Sequence, residues 1–247
     1  MRPLQIKIVM PIALFVLFLS LQWFLVTQKS FLLGFIMLAA SVLFFKYIAR
    51  NWIFNILPSI WLLGGLWALY FFSSQIMVFI IVSGYLAILW LALNKEYALW
   101  QVAGILNVYF FSSLIWFFIL AQAIDFIWGL IIIALVSSLI FLQAMLISRL
   151  AGQLVKIKNK NQIVILSAAV LIGLAEISWA VSFLPFGYFI LGALFTAVFI
   201  ATFNIIDSYY RTTLDEIAVK KLVIRNVMVT MAFVVILVFL SPWLPQK

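Results

Sequence analysis

The chain contains no cysteine and no histidine. Without cysteine there are no disulfides, no thiolate nucleophile and no sulfur ligand for zinc or iron–sulfur clusters. Without histidine, the Ser-His and Cys-His arrangements and the most frequent metal and haem ligand are excluded too. Charge is also scarce: 9% of the residues are Asp, Glu, Lys or Arg, and only six are acidic. A carboxylate-only metal site would have to draw on those six, so neither a metal nor another cofactor is expected.

What the sequence has instead is apolar length. Hydrophobic residues make up 68% of its 247 positions, whereas soluble domains hold about 45–50%. Charges and turn residues cut the chain into nine apolar stretches of roughly 20 residues each, the length of a membrane-crossing helix. They run 8–26, 31–49, 52–72, 76–93, 97–120, 126–148, 163–184, 186–206 and 222–240. In hydrocarbon every backbone group must be bonded within its own segment, and the alternation expected of barrel strands is missing, so the predicted fold is all-α. The expectation is a polytopic bundle of about nine transmembrane helices forming one domain over residues 1–247.

The basic residues set a direction. With a cytoplasmic N-terminus, the inner segments hold all of the 15 Lys and Arg except Lys29 and Lys247, the bias expected of cytoplasmic loops. The C-terminus is then outside, and the first helix reads as an uncleaved signal anchor. The net charge of +9 is thus assigned to topology and lipid headgroups rather than to nucleic acid. Trp23, Trp116, Trp128 and Trp243 fall near outer helix ends, and Trp52, Trp90 and Trp100 near inner ones, as in an interfacial belt. The last inner loop carries Thr213-Leu214-Asp215-Glu216, a capping-box pattern. Lys220, Lys221 and Arg225 follow it as membrane-surface cations.

Glu176 is the acid predicted to lie well inside the hydrocarbon, where an ionised side chain costs roughly 2.5–3.5 kcal/mol on insertion scales. Ala169, Gly173, Glu176 and Ala180 follow 4-3-4 spacing, a small-residue stripe expected to face a neighbouring helix, with Trp179 flanking the acid. Folding the next helix back about Pro185 puts Thr196 at the depth of Glu176, close enough for a hydrogen bond. Asn107 is the other candidate polar residue, since a buried amide needs partners. Pro58 is read as a kink. Trp116, Gly129 and Ala134 share their spacing with Trp179, Gly192 and Ala197, a faint hairpin repeat that chance also explains in a chain rich in these residues.

The run Glu176-Ile177-Ser178-Trp179 through Phe183-Leu184-Pro185-Phe186-Gly187, with Gly192, Tyr209, Arg211, Lys220-Lys221 and Trp243, resembles a group of polytopic membrane proteins from candidate-phylum bacteria. The resemblance covers the C-terminal third. It implies a bacterial inner-membrane origin and no particular activity.

Three functions fit the pattern. The favoured one is a structural or assembly component of a membrane complex, contacting lipid and other membrane proteins or further copies of itself. The alternative is a small carrier for a proton-coupled, cationic or lipidic substrate built around Glu176. The third, a lipid-modifying enzyme, lacks the several interfacial acids and bases that such chemistry needs.

Overall fold

The structure is a computed structural model. It describes residues 3–26, 52–94, 97–154, 156–157, 159–211 and 216–240, with the helical positions Gly34, Ile36, Met37, Ala39, Ala40, Ser41 and Leu43. The stretch 31–49 thus lies largely outside the described residues, as do Thr213, Lys247 and Trp243. Among the described residues there are eight α-helices and one 3-10 turn, with no strands. They are α1 (Pro3–Val26), the 3-10 turn Trp52–Asn55, α2 (Ile56–Phe72), α3 (Gln75–Asn94), α4 (Tyr97–Leu120), α5 (Phe126–Leu150), α6 (Lys160–Ser182), α7 (Tyr188–Arg211) and α8 (Glu216–Leu240). Among the described residues five stretches are long and apolar enough to cross a membrane: Ile53–Phe72, Leu99–Leu120, Phe126–Leu150, Lys160–Ser182 and Tyr188–Arg211.

The chain forms two compact units, Met1–Trp100 and Gln101–Lys247. In the first, α1 and α2 each pack against α3. The α2–α3 hairpin turns at Ser73, whose left-handed backbone (φ 39°) caps α2 through its amide to Leu69 O. A Cβ at Gly84 would collide with the Trp61 indole, so the missing side chain is what lets this ring lie across α3. Trp61 Nε1 there donates to Ile81 O at 3.0 Å, which satisfies an indole N–H that apolar surroundings would leave unbonded. Pro58 lies at the start of α2, not at the interior position from which a proline kinks a helix. It sits in the first turn, after the 3-10 segment, where its missing N–H has little intrahelical bonding to remove.

The second unit, from Gln101 onward, is an up-down-up-down arrangement of α4 to α7, with α8 packed on α7. Helix α5 lies against α6 over most of its length. It runs antiparallel to α4, as the contacts Gly104 to Ile140 and Gly129 to Ile119 require, and parallel to α7, where Phe141 meets Phe203 edge-on at 5.9 Å. Helices α4 and α7 approach tightly at Gly192, where a Cβ would strike the Ser113 hydroxyl.

Local signals explain the helix ends. Gly152 takes φ 71°, and the bonds Gln153 N to Ser148 O (3.0 Å) and Gly152 N to Arg149 O (2.9 Å) close α5 in a Schellman motif. Asn159 opens α6: its side chain accepts from Asn161 N, while Gln162 Oε1 accepts from Asn159 N, both at 3.3 Å.

The tryptophans divide. Trp23, Trp90 and Trp128 are more than half exposed, as an interfacial belt requires, but Trp100 and Trp116 are buried. Trp100 meets Phe54 edge-on at 5.3 Å inside the first unit. Near a helix end, sequence position fixes depth along the axis but not rotation about it, so a belt residue and a core residue look alike.

Candidate functional site

Rotation about α6 decides where Glu176 points. The buried positions of this helix are Ile163, Ser167, Val170, Leu174, Ser178 and Val181, spaced three or four residues apart on one face. Glu176 follows Leu174 by two residues and so points to the opposite side. It is exposed, as are Ala169 and Ala180, and Gly173 has open space where a Cβ would stand. The small-residue stripe therefore faces outward, away from the bundle of its own chain. Glu176 makes no hydrogen bond or ion pair to any described residue.

The outward face has an order of its own. Ile165, Ala169, Ile172, Glu176, Trp179 and Phe183 follow one another at 4-3-4-3-4 spacing, and all six are exposed. This is the seam spacing of helices that pack along their length. Trp179, 56% exposed, packs edge-on against Phe183 at 5.0 Å, one turn beyond the acid. Of the five membrane-length stretches, α6 is the least covered by its own chain.

The structure does not bring Glu176 and Thr196 together. Thr196 is buried, and its Oγ1 donates to Gly192 O at 2.7 Å, a bond within its own helix. Asn107 is fully buried on α4. Glu176 and Trp179 thus share one outward face, while Thr196 and Asn107 belong to the interior. Lys220, Lys221 and Arg225 are exposed on α8.

A second polar constellation lies at the end of the unit where α5 and α7 finish and α4 starts. Arg211 Nε pairs with Asp207 Oδ2 at 2.5 Å. Its Nη2 donates to Ser148 Oγ at 3.3 Å, and Gln101 Nε2 donates to the same oxygen at 3.3 Å. Asp207 is buried, and among the described residues its Oδ1 has no hydrogen-bond partner. Lys156 joins from the α5–α6 connector: its amide donates to Tyr210 O at 3.3 Å and its Nζ lies 4.2 Å over the Tyr209 ring. Asp207 and Arg211 stand out in the sequence only as charged residues near the end of a span, not as a bonded network. The Asp207–Arg211 spacing of one helical turn was the available signal, but nothing in the sequence pointed to Gln101 or Ser148.

Deeper in the unit, Ser138 and Ser167 join α5 to α6 through hydroxyl bonds to each other's carbonyls. Among the described residues no three carboxylates come together in a group that could hold a metal ion. The arrangement offers two chemistries: an acid presented outward from an apolar helix, and a fixed guanidinium with neighbouring cations at a helix end. No family model, curated protein or solved structure matches this chain.

Proposed function

We infer that this chain is an integral protein of the bacterial inner membrane, of about nine spans with a cytoplasmic N-terminus, and that it serves as an assembly component, docking another transmembrane helix on the outward face of α6. One observation carries this reading. Glu176 projects from a membrane-length apolar helix, about two turns before its end, on a side that no described residue covers.

In hydrocarbon a carboxyl group without a partner is costly whether charged or neutral. A helix packed on this face would supply the hydrogen bond that no described residue provides. Gly173 and the alanines would let its backbone approach closely, and Ile172, Trp179 and Phe183 would fill the seam around the acid. In this reading Glu176 selects the docking helix, since lipid alone would favour an apolar residue at that position.

The carrier reading requires Glu176 to face a path through the interior of the protein. Its outward position favours docking over transport.

Blue-native electrophoresis of the full chain from its native membrane tests the assignment. Wild type should migrate in an assembly larger than one chain, Glu176→Gln should retain it by keeping the hydrogen bond, and Glu176→Leu should lose it while the monomer stays folded. A Glu176→Leu protein in an unchanged assembly would contradict the proposal.

A further inference from the structure

The cations at the end of α7 are held differently from a solvated charge run. Arg211 is fixed at two points, Nε to Asp207 and Nη2 to Ser148, and Ser148 is in turn held by Gln101. Among the described residues Nη1 of this half-buried guanidinium makes no bond, and its plane is already set. The Lys156 amide bond to Tyr210 O places the α5–α6 connector beside the last turn of α7. The Lys156 ammonium is exposed and lies over the Tyr209 ring, which is itself 45% exposed.

Asp207 offsets one charge of the Arg211–Lys156 pair, and among the described residues that pair keeps a positive excess. Two functions of the carboxylate coincide: it orients the Arg211 fork, and it leaves the remaining charge for a ligand from outside. A fixed guanidinium beside a point-charge ammonium is the combination that suits phosphate oxygens. At the end of membrane-length helices the phosphate within reach is that of a lipid headgroup.

We propose that the end of the second unit formed by Arg211, Lys156 and Tyr209 binds the phosphate of an anionic phospholipid. Arg211 Nη1 and Lys156 Nζ contact the phosphate oxygens, and Tyr209 flanks the headgroup. The site rests on the membrane reading above but not on the docking role of α6.

The test uses the full chain in nanodiscs of phosphatidylcholine mixed with phosphatidylglycerol, with the lipids retained by the protein identified by native mass spectrometry. Wild type should retain phosphatidylglycerol preferentially. Lys156→Gln, an exposed substitution outside the Asp207 network, should reduce that preference about fivefold, and adding Arg211→Gln should abolish it. Lys160→Gln, which removes an exposed cation at the start of α6, should leave it unchanged. Equal losses from Lys156→Gln and Lys160→Gln would reduce the site to general surface charge and overturn the proposal. Displacement of the lipid by inorganic phosphate would assign the site to a soluble phosphate and overturn the lipid source. A chain that fails to enter the nanodisc contradicts the membrane reading itself. A chain that enters and holds both lipids equally contradicts this proposal alone.

Discussion

Ser138 and Ser167 form a reciprocal clamp: each hydroxyl donates to the other residue's backbone carbonyl, at 2.9 and 3.0 Å, with the two hydroxyl oxygens 3.0 Å apart. The pair fixes the register of α5 against α6, and through it the direction in which the opposite face of α6 looks. Hydroxyl bonds between membrane helices contribute about 0.6 kcal/mol on average, up to about 1.7. Ser138→Ala and Ser167→Ala should each destabilise the fold by about 1 kcal/mol in detergent-titration unfolding. Because the residues act on each other, the double variant should cost less than the sum of the two. Full additivity would show that the clamp is not cooperative.

Two glycines should respond in opposite ways to the same substitution. Gly192→Leu forces a side chain into Ser113 on α4 and should destabilise the second unit by about 1–3 kcal/mol through overpacking. Gly173→Leu enters open space on the outward face of α6. It should leave unfolding of the monomer within about 0.5 kcal/mol of wild type while disrupting the docked assembly. Thermal unfolding and blue-native migration, measured on both variants, separate the effects.

Removing one member of the Asp207–Arg211 pair should cost more than the pair contributes. Arg211→Met leaves a buried carboxylate with neither of its oxygens paired, and a loss of about 2 kcal/mol is expected. Combining Arg211→Met with Asp207→Leu removes both charges and should recover much of that loss. The comparison is made by chemical unfolding of the purified chain, and a double variant as unstable as Arg211→Met would contradict it.

The absence of cysteine makes the topology directly testable, because any introduced cysteine is unique. In intact cells a membrane-impermeant maleimide should label Ala123→Cys, in the α4–α5 connector, and spare Gln153→Cys, in the α5–α6 connector, until the cells are broken. The reverse pattern would invert the proposed orientation.

Apolar length made the helices legible. The predicted stretch 97–120 coincides with α4, and 126–148 and 163–184 each meet their helix within three residues. Rotation about the axis was not legible in α6, which has apolar residues on both sides. Ala169, Gly173 and Ala180 looked like an interior stripe because small residues favour close helix approach, but the interior contact of this helix is made by Ser167, Val170 and Leu174. Ser167 carried no signal, since its value comes from a partner 29 residues away. Arg211 enters the sequence reading as an inner-side cation and as part of the resemblance, and its bonds to Asp207 and Ser148 emerge only once α5 and α7 lie side by side.

The docking face of α6 is tested most directly by a photo-cross-linking amino acid placed at Ile172, 63% exposed and one turn before Glu176, with the same probe at Ile163, fully buried on the opposite face, as the control. Irradiation of native membranes should join the Ile172 probe to a transmembrane segment, of a second copy or of another protein, and peptide mapping should find in that segment a hydrogen-bonding side chain at the depth of Glu176. The yield should fall when Glu176→Leu is added. Cross-links from Ile172 to lipid alone, unchanged by Glu176→Leu, would contradict the account.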